Sequence, residues 1–393
     1  MGLNSQTSSE RLHIAFFGCR NGGKSSLVNA LTNQTLSVVS DVKGTTTDPV
    51  KKAMELLPIG PVVIIDTAGL DDDGKLGKLR VEKTLEVLGK TDIAVLVVDS
   101  TIGVNEFDKE IIRQFEERKL PYVVVYNKCD LISSPAHLLG EGVSVSAKTG
   151  EGVNELRELL GKIAAENKTE KYIIRDKLHA GDIVILVIPI DESAPKGRII
   201  LPQQNVLREC LDAHAAAICI QPEQLEQTLN KITPNLVITD SQVFNKIKDI
   251  VPENILLTSF SILMANYKGE INKLLKAASA IKELRDGDTV LISEACTHHR
   301  QCNDIGTVKF PKWISEYTGK NINFEFTQGG EFPQDLSKYK LIIHCGGCMI
   351  NEAEMKTRQQ RAWANEVPMI NYGMAIAYMN GILDRALRIF KDE

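Results

Sequence analysis

Short runs of consecutive apolar residues alternate along this chain with longer segments whose apolar positions recur every three or four residues. That is the pattern of strands buried on both faces and joined by helices. LHIAFF (12–17), VVII (62–65), IAVLVV (93–98) and PYVVV (121–125) read as buried parallel strands. SLVNALTNQ after the first strand and ELRELLGKIAAE near residue 160 have helical spacing. The charged stretch ENKTEKYIIRDKL then reads as a linker. Beyond it, IVILVIPI (183–190), AAAICI (215–220), LVIT (236–239) and ILLT (255–258) predict strands, with QQNVLRECLDAH and PEQLEQTLNKI as helices between them. A helix-like segment, YKGEINKLLKAASAIKEL, leads into a third set of strands at 288–295, 321–326 and 340–344. Two segments with helical spacing, NEAEMKTRQQRAWANE and MAIAYMNGILDRALRIF, close the chain. The expected fold is α/β throughout: a domain over 1–168, a second α/β unit over 175–265 and a third over 266–393.

Composition narrows the class. With 43% hydrophobic and 25% charged residues over 393 positions, the chain has the profile of a soluble globular protein. A formal net charge of -5 and no long Lys/Arg run argue against nucleic acid as a partner. No apolar stretch reaches the roughly 18 residues of a membrane span. The start lacks the apolar region of an export signal, and Gln6 stands where a myristoylation pattern after Gly2 needs Ser or Thr. The expected location is the cytoplasm. There, eight cysteines read as thiols or metal ligands and not as a disulfide framework.

The first domain carries its chemistry in loops after strands. Gly18-Cys-Arg-Asn21-Gly22-Gly23-Lys24-Ser25-Ser26 is G-x4-G-K-S between a strand and a helix, a loop whose backbone N–H groups close around phosphates. Lys24 is expected at the outer phosphates and Ser25 at Mg2+, with Asp66 and Gly69 of Asp66-Thr67-Ala68-Gly69 beside the metal and the γ-phosphate. Asn127-Lys128-Cys129-Asp130 resembles the guanine-reading N-K-x-D of GTPases, in which the carboxylate accepts two N–H bonds from guanine that adenine cannot offer. Ser146-Ala147-Lys148 resembles the companion S-A-K loop. Together they predict a GTPase. Gly44-Thr45-Thr46-Thr47-Asp48 resembles the first switch of the Era and tRNA-modification class, which implies that Thr45 and Thr46 face the nucleotide, Thr46 closing on Mg2+. Asn21 stands where potassium-activated members hold K+ beside the phosphates, supplying charge at the transition state. Leu70 replaces the water-orienting Gln of Ras-like enzymes, so slow intrinsic hydrolysis is expected. Asp71, Asp72 and Asp73 read as a solvated loop.

Cysteines mark the third unit. Cys296-Thr-His298 follows one predicted strand and His344-Cys345-Gly-Gly-Cys348 another. Strand ends of a parallel sheet gather on one edge, so three thiolates can converge there. From the residues alone, a mixed Cys/His zinc site, a dithiol at Cys345/Cys348 and a three-cysteine iron–sulfur site all stay open. The zinc and dithiol forms would suit a GTPase acting in another metal-assembly or RNA-modification process. Cys302 falls outside both motif halves.

Both motif sets together resemble the HydF family over the whole length, GTPases that take part in maturing [FeFe]-hydrogenase and carry C-x-H … H-C-x-x-C. The resemblance implies a GTP-binding domain, a dimerisation domain and a cluster-binding domain. It implies a [4Fe-4S] cluster on Cys296, Cys345 and Cys348, with His298 and His344 either binding iron or supporting it. It further implies a homodimer or higher oligomer acting as a scaffold. That scaffold would receive a di-iron precursor from radical-SAM enzymes and pass it to the apo-hydrogenase.

Overall fold

The structure is a computed structural model and describes residues 8–33, 49–67, 83–132, 142–167, 170–190, 199–295 and 304–391. The chain divides into two compact units, Met1–Thr169 and Glu170–Glu393.

The first unit is a six-stranded sheet of β1 (Leu12–Phe17), β2 (Val50–Leu56), β3 (Gly60–Asp66), β4 (Ile93–Asp99), β5 (Tyr122–Asn127) and β6 (Gly142–Ser144). Its order is β2-β3-β1-β4-β5-β6, parallel except for β2. β1, β3, β4 and β5 are buried almost throughout, and their alternate residues enter two separate apolar clusters on the two faces. Ile14 and Phe16 pack on one side, Ala15 and Phe17 on the other. A continuous apolar run is what a strand covered on both faces requires. β2 has no such run. VKKAMEL leaves its first residues in solvent, and backbone pairing to β3 alone makes it a strand.

The second unit holds two four-stranded parallel sheets. β7 (Ile183–Val187), β8 (Ala216–Ile220), β9 (Leu236–Thr239) and β10 (Leu256–Ser259) lie in the order β10-β9-β7-β8. β11 (Thr289–Glu294), β12 (Asn323–Gln328), β13 (Leu341–His344) and β14 (Met369–Asn371) lie in the order β12-β11-β13-β14. One apolar cluster contains core residues of both sheets, Ile185 and Val237 with Leu291 and Ile342. The helix Phe260–Lys268 joins them: Ile262 and Ala265 enter this cluster, while Phe260, Leu263 and Met264 enter a second one under β7 and β9. The helix-like pattern over 267–284 resolves into this helix's end and two short helices, Ile271–Lys276 and Ala280–Glu283. Likewise the last pattern breaks into Tyr372–Met379 and Leu383–Ala386, parted at Gly381, whose φ is 72°. Among the described residues no helix is long and apolar enough to cross a membrane.

In the first and third sheets the opening strand sits inside, with its next parallel partner on one side and the following one on the other. β1 lies between β3 and β4, and β11 lies between β12 and β13. Such a reversal opens a crevice at the carboxyl ends of the strands. Both candidate sites lie there.

Candidate functional site

The loop after β1 turns into the helix Lys24–Thr32, whose first N–H groups point into the crevice. Lys24 is buried, and its Nζ donates to the Gly18 and Cys19 carbonyls at 2.8 Å each. Ser25 Oγ donates to Asp66 Oδ2 at 2.6 Å, so the end of β3 and the helix start meet where a divalent ion would bridge them. Gly23 holds φ 85°, and a Cβ there would stand 2.3 Å from Asn127 Nδ2. Only glycine allows that approach. Asn21, also left-handed at φ 61°, and Ser26 are exposed. Cys19 Sγ accepts from Asn105 Nδ2 at 3.1 Å. Asn105 and Asp108 form the capping box of the helix Glu106–Glu117, so that cap also fixes the loop.

Asn127 ties three loops together. Its Nδ2 donates to the Gly22 carbonyl at 2.9 Å, and its Oδ1 accepts from the Ala147 N–H at 3.0 Å. Asp130 is exposed, and its Oδ1 accepts from Ser146 Oγ at 2.6 Å, which aims the carboxylate. Lys128 pairs with Asp99 at 2.5 Å. Burial pushes the Asp99 carboxyl up, but Lys128 and the Thr101 donors together hold it below the usual range. Lys148 is exposed beside this loop. Thr45, Thr46, Gly69 and the Asp71–Asp73 run lie outside the described residues.

At the third sheet, register places Thr327, Ser293, His344 and Asn371 in one row across the carboxyl edge. Cys345 follows that row. Its Sγ accepts from the Ala295 N–H at 3.1 Å and the Gly347 N–H at 3.4 Å. Two N–H donors on one sulfur fix its place at the ends of β11 and β13. Gly347 turns the loop at φ 64° and brings Cys348 back beside Cys345. Burial pushes the Cys348 thiol up to about 11, Cys345 adds to this, and Lys268 pulls it back. A thiolate at that depth needs positive charge at its sulfur, which fits a soft metal centre. Lys268, buried at the end of its helix, donates to the Gly347 carbonyl at 2.8 Å and the Ile350 carbonyl at 2.6 Å, with Cys348 O at 3.5 Å. His344 and Arg358 are buried together beneath the turn.

Cys296, His298 and Cys302 lie outside the described residues; Ala295, bonded to Cys345 through its N–H, is the last described residue before them. Among the described residues no three His, Cys, Asp or Glu side chains gather as a metal would need. Lys268, Arg358 and Asp99 are contributors that no motif marks. A lone Lys in the apolar FSILMANYK is the one trace Lys268 leaves in the sequence.

Residues 13–128 match the family model described as 50S ribosome-binding GTPase. A tRNA modification GTPase MnmE of Dechloromonas aromatica is 36% identical over 173 residues, 43% of this chain and 38% of the relative. That of Laribacter hongkongensis is 38% identical over 176 residues, 43% of this chain and 39% of the relative. The chain thus spans well under half the length of these relatives. The crystal structure of Aquifex aeolicus Era bound to GDP·AlF4- is 22% identical, covering 53% of this chain and 93% of that one, with a TM-score of 0.36. The amino-terminal unit is a P-loop GTPase domain. Residues 173–269 match the hydrogen maturase F dimerization domain, and residues 272–389 match the hydrogen maturase F tetramerization domain. These two matches take in more than half of the 393 residues and follow directly on the GTPase domain, and the chain belongs to the hydrogen maturase F family.

Proposed function

We propose that this chain is a hydrogenase-maturation GTPase that carries a [4Fe-4S] cluster and works as a homo-oligomeric scaffold. The GTPase domain binds GTP with Mg2+ and hydrolyses it to GDP and phosphate. Lys24 serves the outer phosphates, Ser25 and Thr46 the Mg2+, Asp66 its surroundings, and Asp130 the guanine edge. K+ beside Asn21 supplies further positive charge as the bond to the leaving phosphate breaks. Cys296, Cys345 and Cys348 hold the cluster. A cluster on three thiolates keeps one iron open to a further ligand, which suits attachment of cargo. The cargo is a di-iron precursor, taken from radical-SAM maturation enzymes and handed to apo-[FeFe]-hydrogenase. The half-exposed β8, AAICI at the margin of its sheet, supports association between copies.

The observation that carries the cluster reading is the pair of N–H donors on Cys345 Sγ, one of them from Ala295 at the end of the neighbouring strand. That arrangement holds the sulfur in place at the carboxyl edge of the sheet, where a soft metal centre would need it. Iron and acid-labile sulfide assays with EPR on anaerobically purified, reduced protein test it. Roughly four irons and four sulfides per chain with a cluster signal are expected. Stoichiometric zinc without iron would replace the reading with a zinc site. For K+, hydrolysis faster in KCl than in NaCl at matched ionic strength is expected, and equal rates would remove that part.

A further inference from the structure

His344 stands next to a proposed cluster ligand, and its ring nitrogens are already committed. Nδ1 lies 2.8 Å from the Cys345 carbonyl oxygen and Nε2 lies 3.1 Å from Arg358 NH1. A carbonyl oxygen can only accept and a guanidinium can only donate. Both contacts therefore require the same neutral ring, protonated on Nδ1 with its lone pair on Nε2. The other tautomer would set N–H against N–H on one side and lone pair against carbonyl on the other. His344 is 1% exposed and Arg358 2%, so water does not relieve either mismatch.

Arg358 is itself held from several directions. NH2 donates to the Gly329 carbonyl at 2.7 Å and to Glu354 Oε1 at 2.6 Å, while NH1 also reaches Ser293 Oγ at 3.4 Å. Phe332 lies against the guanidinium, 5.3 Å from ring centre to Cζ. The carboxylate one helical turn away balances the charge, and the fork geometry leaves NH1 aimed at the ring. We infer that Arg358 is a positioning residue that occupies the Nε2 lone pair of His344. The ring is thereby kept out of the metal's coordination sphere and bound to the Cys345 backbone, shaping the cysteine turn. This rests on the cluster reading for its purpose: a histidine withheld from iron preserves the open site that attachment of cargo needs.

The test separates the two. In metal-free protein labelled with 15N-histidine, long-range 1H–15N correlations, assigned by loss of one signal in His344→Gln, report the tautomer. A ring protonated on Nδ1 is expected, with Nε2 unprotonated. In Arg358→Met the His344 Nε2 shift should move toward that of a lone pair without a donor, and Arg358→Lys should restore much of the original pattern. Protonation on Nε2 in the unaltered protein, or shifts unmoved in a folded Arg358→Met protein, would overturn the inference. If Arg358→Met does not fold, the tautomer of the unaltered protein decides. In iron-loaded protein, pulsed EPR should show no nitrogen coupling that disappears in His344→Gln; such a loss would place His344 on the metal. Absence of iron would defeat the cluster reading and leave the tautomer result intact.

Discussion

Lys268 places a full ammonium in a buried position where three backbone carbonyls of the cysteine turn receive it. Hydrogen bonds to a charged group contribute about 1.5–3 kcal/mol each, and orphaned carbonyls add a desolvation cost when the donor goes. Lys268→Met keeps the stem and removes the donors but also relieves the cost of burying the ammonium, so the unit should lose about 2 kcal/mol of stability on balance. Iron on the proposed cluster should pass to a chelator roughly tenfold faster, with GTP turnover unchanged. Thermal melting and timed chelation check this, and unchanged iron release would show that the turn holds its shape alone. Asp130 makes the opposite case, a residue whose proposed guanine-reading role rests on its type. A carboxylate there offers the acceptor pair that guanine's two N–H donors would meet, and Ser146 holds it at 2.6 Å. Asp130→Asn should weaken GTP binding roughly a hundredfold and admit xanthosine triphosphate, as nucleotide titrations would reveal. Loop motifs could be read because their residue types are the chemistry. Lys268 and Arg358 could not, since Lys and Arg on helices ordinarily face water. Only the packing around them turns each into an internal donor.

Among the elements, strands buried on both faces were the most legible, because a run of Val, Ile and Leu admits few other arrangements. β2 and the three-residue β14 escaped for opposite reasons: one is solvent-facing and the other too short to show a period. The helix Glu352–Ala364 is rich in polar side chains, yet Glu354, Arg358 and Gln359 are buried. Its Glu354–Arg358 pair has the i,i+4 spacing of a surface ion pair but lies inside. Removing one member alone would strand the other, the expensive case for a buried pair. The strand ends β4 and β5 are joined by the Asp99–Lys128 pair, and this sets a pH dependence. Asp99 titrates below its ordinary value in the folded state. Its contribution is therefore fully present above about pH 4, the unfolded value, and is lost as pH falls through the folded value. Asp99→Asn should lower the melting temperature of the first unit at pH 7, and the gap should close toward pH 3. A gap that stays constant across that range would mean the pair contributes nothing through charge.

On the scale of the whole molecule, three parallel or mostly parallel sheets repeat one device, a first strand flanked on both sides. The first and third sheets place a phosphate loop and a cysteine turn at that crevice. The middle sheet carries no such motif, and its half-exposed β8 suits a role in assembly. The motifs' confinement to the first 150 and last 100 residues was visible in the sequence. The shared apolar core of the second unit was not visible, because a helix serving two sheets shows only one apolar pattern. Two compact units imply that the proposed cluster can be lost while nucleotide chemistry persists. Iron content and GTP turnover measured on one anaerobic preparation of Cys345→Ser test this most directly. The account predicts iron greatly reduced or absent with GTP turnover near that of the unaltered protein. Full iron loading in that variant would contradict it.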